Sequence, residues 1–283
     1  MLECVANLSV PSRDEAVLLG AFAGESLRDL HHDDDHARAV LTLIGPPVSL
    51  EADLRRMARV AAARLDLTGH VGVHPRLGAL DVVPFVSLED DLAAAVRARD
   101  AAATWFATAL GVPVFLYGPL ADGSVRTLPE VRRHAFTALV PDLGPGRPHP
   151  RLGASALGAR GILVAWNLRL RDTTLDEARA VARSLRGPHV RALAFALRAG
   201  PQISCNLLDP LAVGPSEVYD AVSARLGEAR IVDCELVGLA PRGLLERTDP
   251  ARRARLGLSE AATIETRVRS AGLGPALEGP GAP

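Results

Sequence analysis

A histidine beside an arginine on a stiffened loop suits proton transfer next to a bound anion, and the chain carries this pairing in GHVGVHPRLGALDVVPFV, Gly69 to Val86. Pro75 fixes its own backbone torsion and biases His74 away from helix, while Gly78 permits a turn. His74 and Arg76 therefore stand on a rigid mount. An imidazole with an ordinary pKa near ~6.5 takes up and returns a proton at neutral pH, and an adjacent guanidinium clamps a carboxylate. The alternative is an inert turn histidine, with Arg38, Arg76 and Arg151 as surface charges among 32 basic residues. The phrase His-Pro-Arg-Leu-Gly-Ala recurs, however, at His149 to Ala154, in a chain with only eight histidines. Chance is a poor account of that.

Other strings are chemically weaker. HHDDDH, His31 to His36, holds metal-ligand side chains, but it lacks the helical spacing of a metal motif and draws on a single segment, so a solvated polar loop is expected and no metal site. The chain has no lysine, which excludes a Schiff-base mechanism and a Walker-type phosphate loop. Net charge is -1, so neither a nucleic-acid groove nor an anionic membrane surface is indicated. Cys4, Cys205 and Cys234 are few, odd in number and widely spaced, which fits a reducing cytoplasm and no disulfide framework. No apolar run long enough to span a membrane and no export signal is present.

The elements that must position these residues fall into two halves. In the first, strand Leu2–Val10 and helix Asp14–Phe22 precede a hairpin around His31–Ile44. A helix capped by Ser49 follows, with Leu50, Leu54, Met57, Ala61 and Leu65 on one face. After the histidine loop come strand Ala79–Val86, a helix begun by a capping box at Ser87 with Leu88, Leu92 and Val96 aligned, and strand Val112–Tyr117. Residues 118–160 read as a connection, with one helical piece near Leu128 to Phe136. The second half reads β-α-β-β-α-β, with a capping box at Thr174 and Pro215 in a first helical turn. The expected fold is α/β of the α+β type: two subdomains of βαββαβ ferredoxin-like order, 1–143 and 161–270, joined by 144–160. A helix from about Ser259 to Ser270 and a disordered tail, 271–283, close the chain. Asparagine is disfavoured in strands, yet all three asparagines, Asn7, Asn167 and Asn206, fall in predicted strands. A buried hydrogen-bond network or a ligand contact would explain them.

HPRLGALDVVPF resembles the signature of the formiminotransferase domain family, and the resemblance extends through LECVANLS, HARAVLTLIG, GVPVFLYG, VPDLGPGRPHPRLGASALGAR, LVAWNLRL, ISCNLLD and ELVGLAP. It implies two subdomains with facing mixed sheets, helices on the outer faces and folate bound between them. It also implies transfer of the formimino group of N-formimino-L-glutamate to tetrahydrofolate as cosubstrate, in histidine degradation. By this resemblance His74 is the acid/base. Gly144, Pro145, Gly146, Arg147, Pro148, His149, Pro150, Arg151, Leu152 and Gly153 form the folate-binding segment. Asn7, Arg38, Arg76 and Asn206 are the candidates for contacting substrate. A histidine acting this way predicts a pH limb near ~6 to 7. A cytoplasmic homodimer without the cyclodeaminase domain of bifunctional relatives is also implied.

The chain departs from the family where Asn-Phe-Ser-Glu-Gly becomes Asn7-Leu8-Ser9-Val10-Pro11, and where Ala37 replaces the asparagine of His-Asn-Arg. Losing a polar group that orients substrate lowers rate more than binding. A folate-binding relative with impaired catalysis, or a transferase using another donor such as N-formyl-glutamate, is therefore the competing reading.

Overall fold

The computed structural model describes residues 1–89 and 91–273 and divides into two compact units, Met1–Gly161 and Ile162–Pro283. The first opens with β1 (Leu2–Ser9), α1 (Arg13–Phe22), β2 (Leu27–Asp33), β3 (Arg38–Gly45), α2 (Pro47–Arg64) and β4 (Leu80–Ser87). This is the ferredoxin-like order. It continues with α3 (Leu92–Ala109), β5 (Val114–Pro119), β6 (Val125–Arg126), α4 (Leu128–His134) and β7 (Ser155–Ala159). The strands form one sheet in the order β2-β3-β1-β4-β7-β5-β6. Neighbours from β2 to β4 run antiparallel, and β7 lies parallel to both β4 and β5, so this sheet is mixed.

Strand β7 falls inside the stretch read as a connector. Its sequence, SALGA, has no alternation to signal a strand, because all five residues are buried in the middle of the sheet. Gly158 is required there: a Cβ on it would come within 2.0 Å of the Tyr117 ring on β5. The part of the chain from residue 144 to 160 thus belongs to the first unit and completes its sheet.

One face of the sheet carries the main core. Leu2, Cys4, Ala6 and Leu8 of β1 pack there with Leu19, Leu50, Leu54, Met57, Ala61 and Phe106 from α1, α2 and α3. The stripe predicted on α2 is buried as expected, but Ser49 is not its cap. Pro47 occupies the first turn, and the Ser49 hydroxyl instead donates to Pro46 O. Likewise α3 starts five residues after Ser87, with the Asp91 side chain accepting from Ala94 N. Its buried stripe is Ala95, Ala102, Ala103 and Phe106, while Leu92 is exposed. On the opposite face, Val82, Phe115, Tyr117 and Ala156 form a smaller cluster under Val131 of α4, whose Thr127 start is a complete capping box.

The second unit contains β8 (Val164–Leu170), α5 (Leu175–Leu185), β9 (Val190–Leu197), β10 (Gly200–Leu207), α6 (Pro215–Leu226) and β11 (Ile231–Val237). The sheet order β11-β8-β10-β9 is antiparallel throughout. The Thr174 capping box and the first-turn Pro215 are present as read. Short helices α7 (Arg242–Arg247), α8 (Pro250–Arg253) and α9 (Ile264–Ser270) follow, and Trp166 in the core donates its indole N–H to Leu256 O at 2.8 Å. The expected terminal helix is shorter than predicted because Thr263 starts it afresh, its hydroxyl accepting from Thr266 N. Of the tail, residues 274–283 lie outside the described residues.

Candidate active site

Strand β4 has an extra residue relative to β1. Asn7 pairs with Val82 but Leu8 pairs with Leu80, so Asp81 is the inserted residue of a bulge. A bulge re-aims its side chain away from ladder geometry. Fully buried, the Asp81 carboxylate accepts from Leu77 N at 2.6 Å, from Arg38 Nη2 at 2.5 Å and from Arg132 Nη2 of α4 at 2.7 Å. Burial alone would raise its pKa, but the two guanidiniums and the Leu77 N–H outweigh that and hold the carboxyl below its ordinary range.

This carboxylate fixes the histidine loop. Both arginines that Asp81 holds also donate to Pro75 O, Arg132 Nη1 at 3.0 Å and Arg38 Nη2 at 3.4 Å. The same carbonyl lies 2.7 Å from His74 Nδ1. A carbonyl only accepts, so Nδ1 carries the proton and Nε2 presents a lone pair. Arg38 Nη1 donates toward that lone pair at 3.4 Å and to Asn7 Oδ1 at 3.3 Å. The His36 ring stands edge-on to His74, centroids 5.8 Å apart. Arg76 turns back to donate to His74 O at 3.1 Å.

Burial, then the Arg38 and Arg132 charges, push the His74 pKa down to about 3, against the raising influence of Pro75 O and Asp81. The limb near ~6 to 7 expected from sequence is therefore corrected for the ligand-free protein. Its ring is neutral there. Arg38 is itself lowered to about 10 by burial and by its cationic neighbours, with Asp81 opposing. Such a site has excess positive charge, and an anion arriving in it raises the basicity of His74.

The loop is shaped by contacts that permit no extra side chain. A Cβ on Gly72 would lie 2.5 Å from His36 O, so the loop crosses the β2–β3 turn closely, and Val73 N donates to Asp35 O at 3.2 Å. HHDDDH is thus not a solvated loop. His31, His32 and Asp33 end β2, Asp33 accepts from His36 N at 2.8 Å, and His36 is buried. No group of three or more His, Cys, Asp or Glu side chains converges for a metal among the described residues.

The structure brings together His74, Arg38, Arg76 and Asn7 as predicted candidates. It adds Asp81, Arg132 and His36. Asp81 was readable only inside the GALD phrase, and Arg132 carried no signal among the basic residues of α4. Of the glycine-rich segment, residues 144–148 are exposed, and His149 Nδ1 accepts from the backbone N–H groups of Arg151 and Leu152. Arg151 straps the segment to the end of α2, reaching Asp66 at 3.3 Å and the carbonyls of Ala63 and Leu65. Asn206 lies in the second unit, exposed on β10, where Asn167 of β8 donates to Glu235.

The departures also have places. Val10 is buried in the core, and its N–H donates to Ala37 O at 3.0 Å. Ala37 has φ 45, the left-handed region in which asparagine is better tolerated than alanine.

The family signature described as formiminotransferase domain, N-terminal subdomain, matches residues 1–160. A glutamate formimidoyltransferase of Streptococcus pyogenes is 31% identical over 267 residues, 85% of this chain and 89% of its own. A Thermoplasma acidophilum glutamate formimidoyltransferase is 30% identical over 274 residues, 87% of this chain and 89% of its own. The formimidoyltransferase-cyclodeaminase of Sus scrofa is 32% identical over 272 residues, which are 85% of this chain and 50% of that protein. With this signature over more than half of its length and these relatives, the chain belongs to the formiminotransferase domain family.

Proposed function

We propose that the protein transfers the formimidoyl group of N-formimino-L-glutamate to N5 of tetrahydrofolate. The observation that carries this reading is the neutral His74 ring, its Nε2 lone pair presented beside Arg38 and Asn7. The N5 lone pair attacks the formimidoyl carbon, and Nε2 takes the proton that N5 loses. The imidazolium so formed is a strong acid among guanidiniums and delivers the proton to the glutamate nitrogen, whose bond to carbon then breaks. Free glutamate leaves with its nitrogen as an amine. Arg38, Arg76 and Asn7 face the anionic donor, and residues 144–153 supply a loop for the folate. The same reading places the enzyme in the cytoplasm as a homodimer.

Purified protein with both substrates, wild type beside His74→Ala, tests it: wild type forms 5-formimidoyl-tetrahydrofolate and the variant does not. Two observations favour the second reading, the buried Val10 where the family has an acid and the strained Ala37 where it has asparagine. If wild type is inert with the formimidoyl donor yet active with N-formyl-L-glutamate, the donor differs. If it is inert with both and folate still raises Tm, it is a folate-binding relative.

A further inference from the structure

Glu3 stands on β1 four residues before Asn7, on the same face of the sheet, opposite Ile44 of β3 and Val86 of β4. Four residues of strand put the two Cα atoms ~13 Å apart. It is only 4% exposed, and its carboxylate receives no hydrogen bond from a described residue. Arg160 follows β7 directly, its N–H bonded to Phe85 O at 3.1 Å, and its charge acts on both Glu3 and the buried Tyr117 of β5. Only partly buried, the Arg160 guanidinium also donates to Gly161 O at 2.8 Å.

A buried carboxylate without donors is costly to the fold. Burial pushes Glu3 up to about 7 even with Arg160 nearby. The group is explained if a ligand brings the missing N–H donors. Resting on the proposed function, the chemistry is specific: the pyrimidine edge of a reduced folate presents an oxo acceptor, a ring N–H and an amino group in sequence. A carboxylate matches the two donors in bidentate fashion, and a guanidinium beside it matches the acceptor.

We propose that Glu3 and Arg160 bind the 2-amino-4-oxopyrimidine edge of the folate ring, with Glu3 accepting from N3–H and the 2-amino group and Arg160 donating to the 4-oxo oxygen. The ring then runs along β1, its N5 toward Asn7 and His74. Glu3 is a specificity-determining residue for the acceptor substrate, separate from the proton transfer.

The test measures Kd by calorimetry, under argon, for tetrahydrofolate and for its 2-desamino analogue. Wild type prefers tetrahydrofolate by ~10-fold or more, the value of a hydrogen bond to a charged group. In Glu3→Gln, whose side-chain amide keeps one acceptor oxygen and turns N–H groups toward the ligand, the preference falls to within about threefold. Glu3→Asp keeps the charge but retracts it and gives an intermediate ratio, which serves should Glu3→Gln fail to fold. Undiminished preference in these variants overturns the assignment of Glu3 while leaving the transferase reading intact. Wild type that binds no tetrahydrofolate overturns the folate reading and this inference with it.

Discussion

Gly78 and Gly153 meet backbone to backbone, and around them the two copies of the HPRLGA phrase pair reciprocally: Ala79 N donates to Leu152 O at 2.9 Å, and Ala154 N to Leu77 O at 3.0 Å. The repeat is two loops that brace each other. A Cβ on Gly78 would sit 2.0 Å from Ala154 O, so Gly78→Ala forces backbone apart. We expect a loss of roughly 2 kcal/mol or more in stability and at least ~10-fold in kcat/KM, since His74 is four residues upstream. Denaturant unfolding and steady-state kinetics check both; a variant as stable and active as wild type would falsify the bracing role.

Asp81→Asn keeps the shape but removes the charge that holds Arg38 and Arg132. Unpairing two half-buried guanidiniums costs roughly 3 kcal/mol. Pro75 O then loses its fixed donors, so the His74 tautomer is no longer pinned. Expected is a fall in kcat of ~100-fold with a smaller change in KM. An unchanged kcat with raised KM would reassign Asp81 to substrate binding alone.

His74 provides the pH signature. Lowered to about 3 in the folded protein, from the ordinary ~6.5 that the unfolded chain retains, it binds fewer protons folded than unfolded across that interval. Its contribution to stability is complete above ~6.5 and is lost as pH falls toward 3. In the ligand-free protein its NMR titration shows no midpoint between pH 5 and 8, and kcat/KM shows no limb from it there. Once the anionic donor offsets Arg38 and Arg132, the midpoint rises, so any acid limb appears at higher pH in kcat than in kcat/KM. A midpoint of 6 to 7 in the free protein would contradict the arrangement of charges.

Ala37, at φ 45, carries the conformational cost of a left-handed alanine. Ala37→Gly relieves it and raises stability by about 1 kcal/mol, offset in part by added freedom in the unfolded chain. Ala37→Asn restores the family residue, and an increase in kcat there would show that the missing amide orients substrate. Thermal unfolding and turnover of the two variants separate the backbone effect from the chemical one.

The sequence made the histidine loop, the repeat and the two βαββαβ orders readable, because Pro, Gly and capping residues act locally. The GALD phrase contained Asp81, but its role depends on a bulge that appears only when β1 and β4 are paired. Arg132 reaches the site from a helix 51 residues away, which no local pattern reports. SALGA escaped for the opposite reason: a strand buried on both faces against a tyrosine ring is built of small residues that resemble a linker.

The late position of β7 also governs how the first unit is assembled on the ribosome. Strands β4 and β5 are separated in the sheet by a strand that is synthesised some 35 residues after β5 ends. Until residues 155–159 emerge, both expose unpaired, strongly apolar edges. A nascent chain stopped before that point therefore has two adhesive borders and no seam to join them, which makes it a natural client for chaperones.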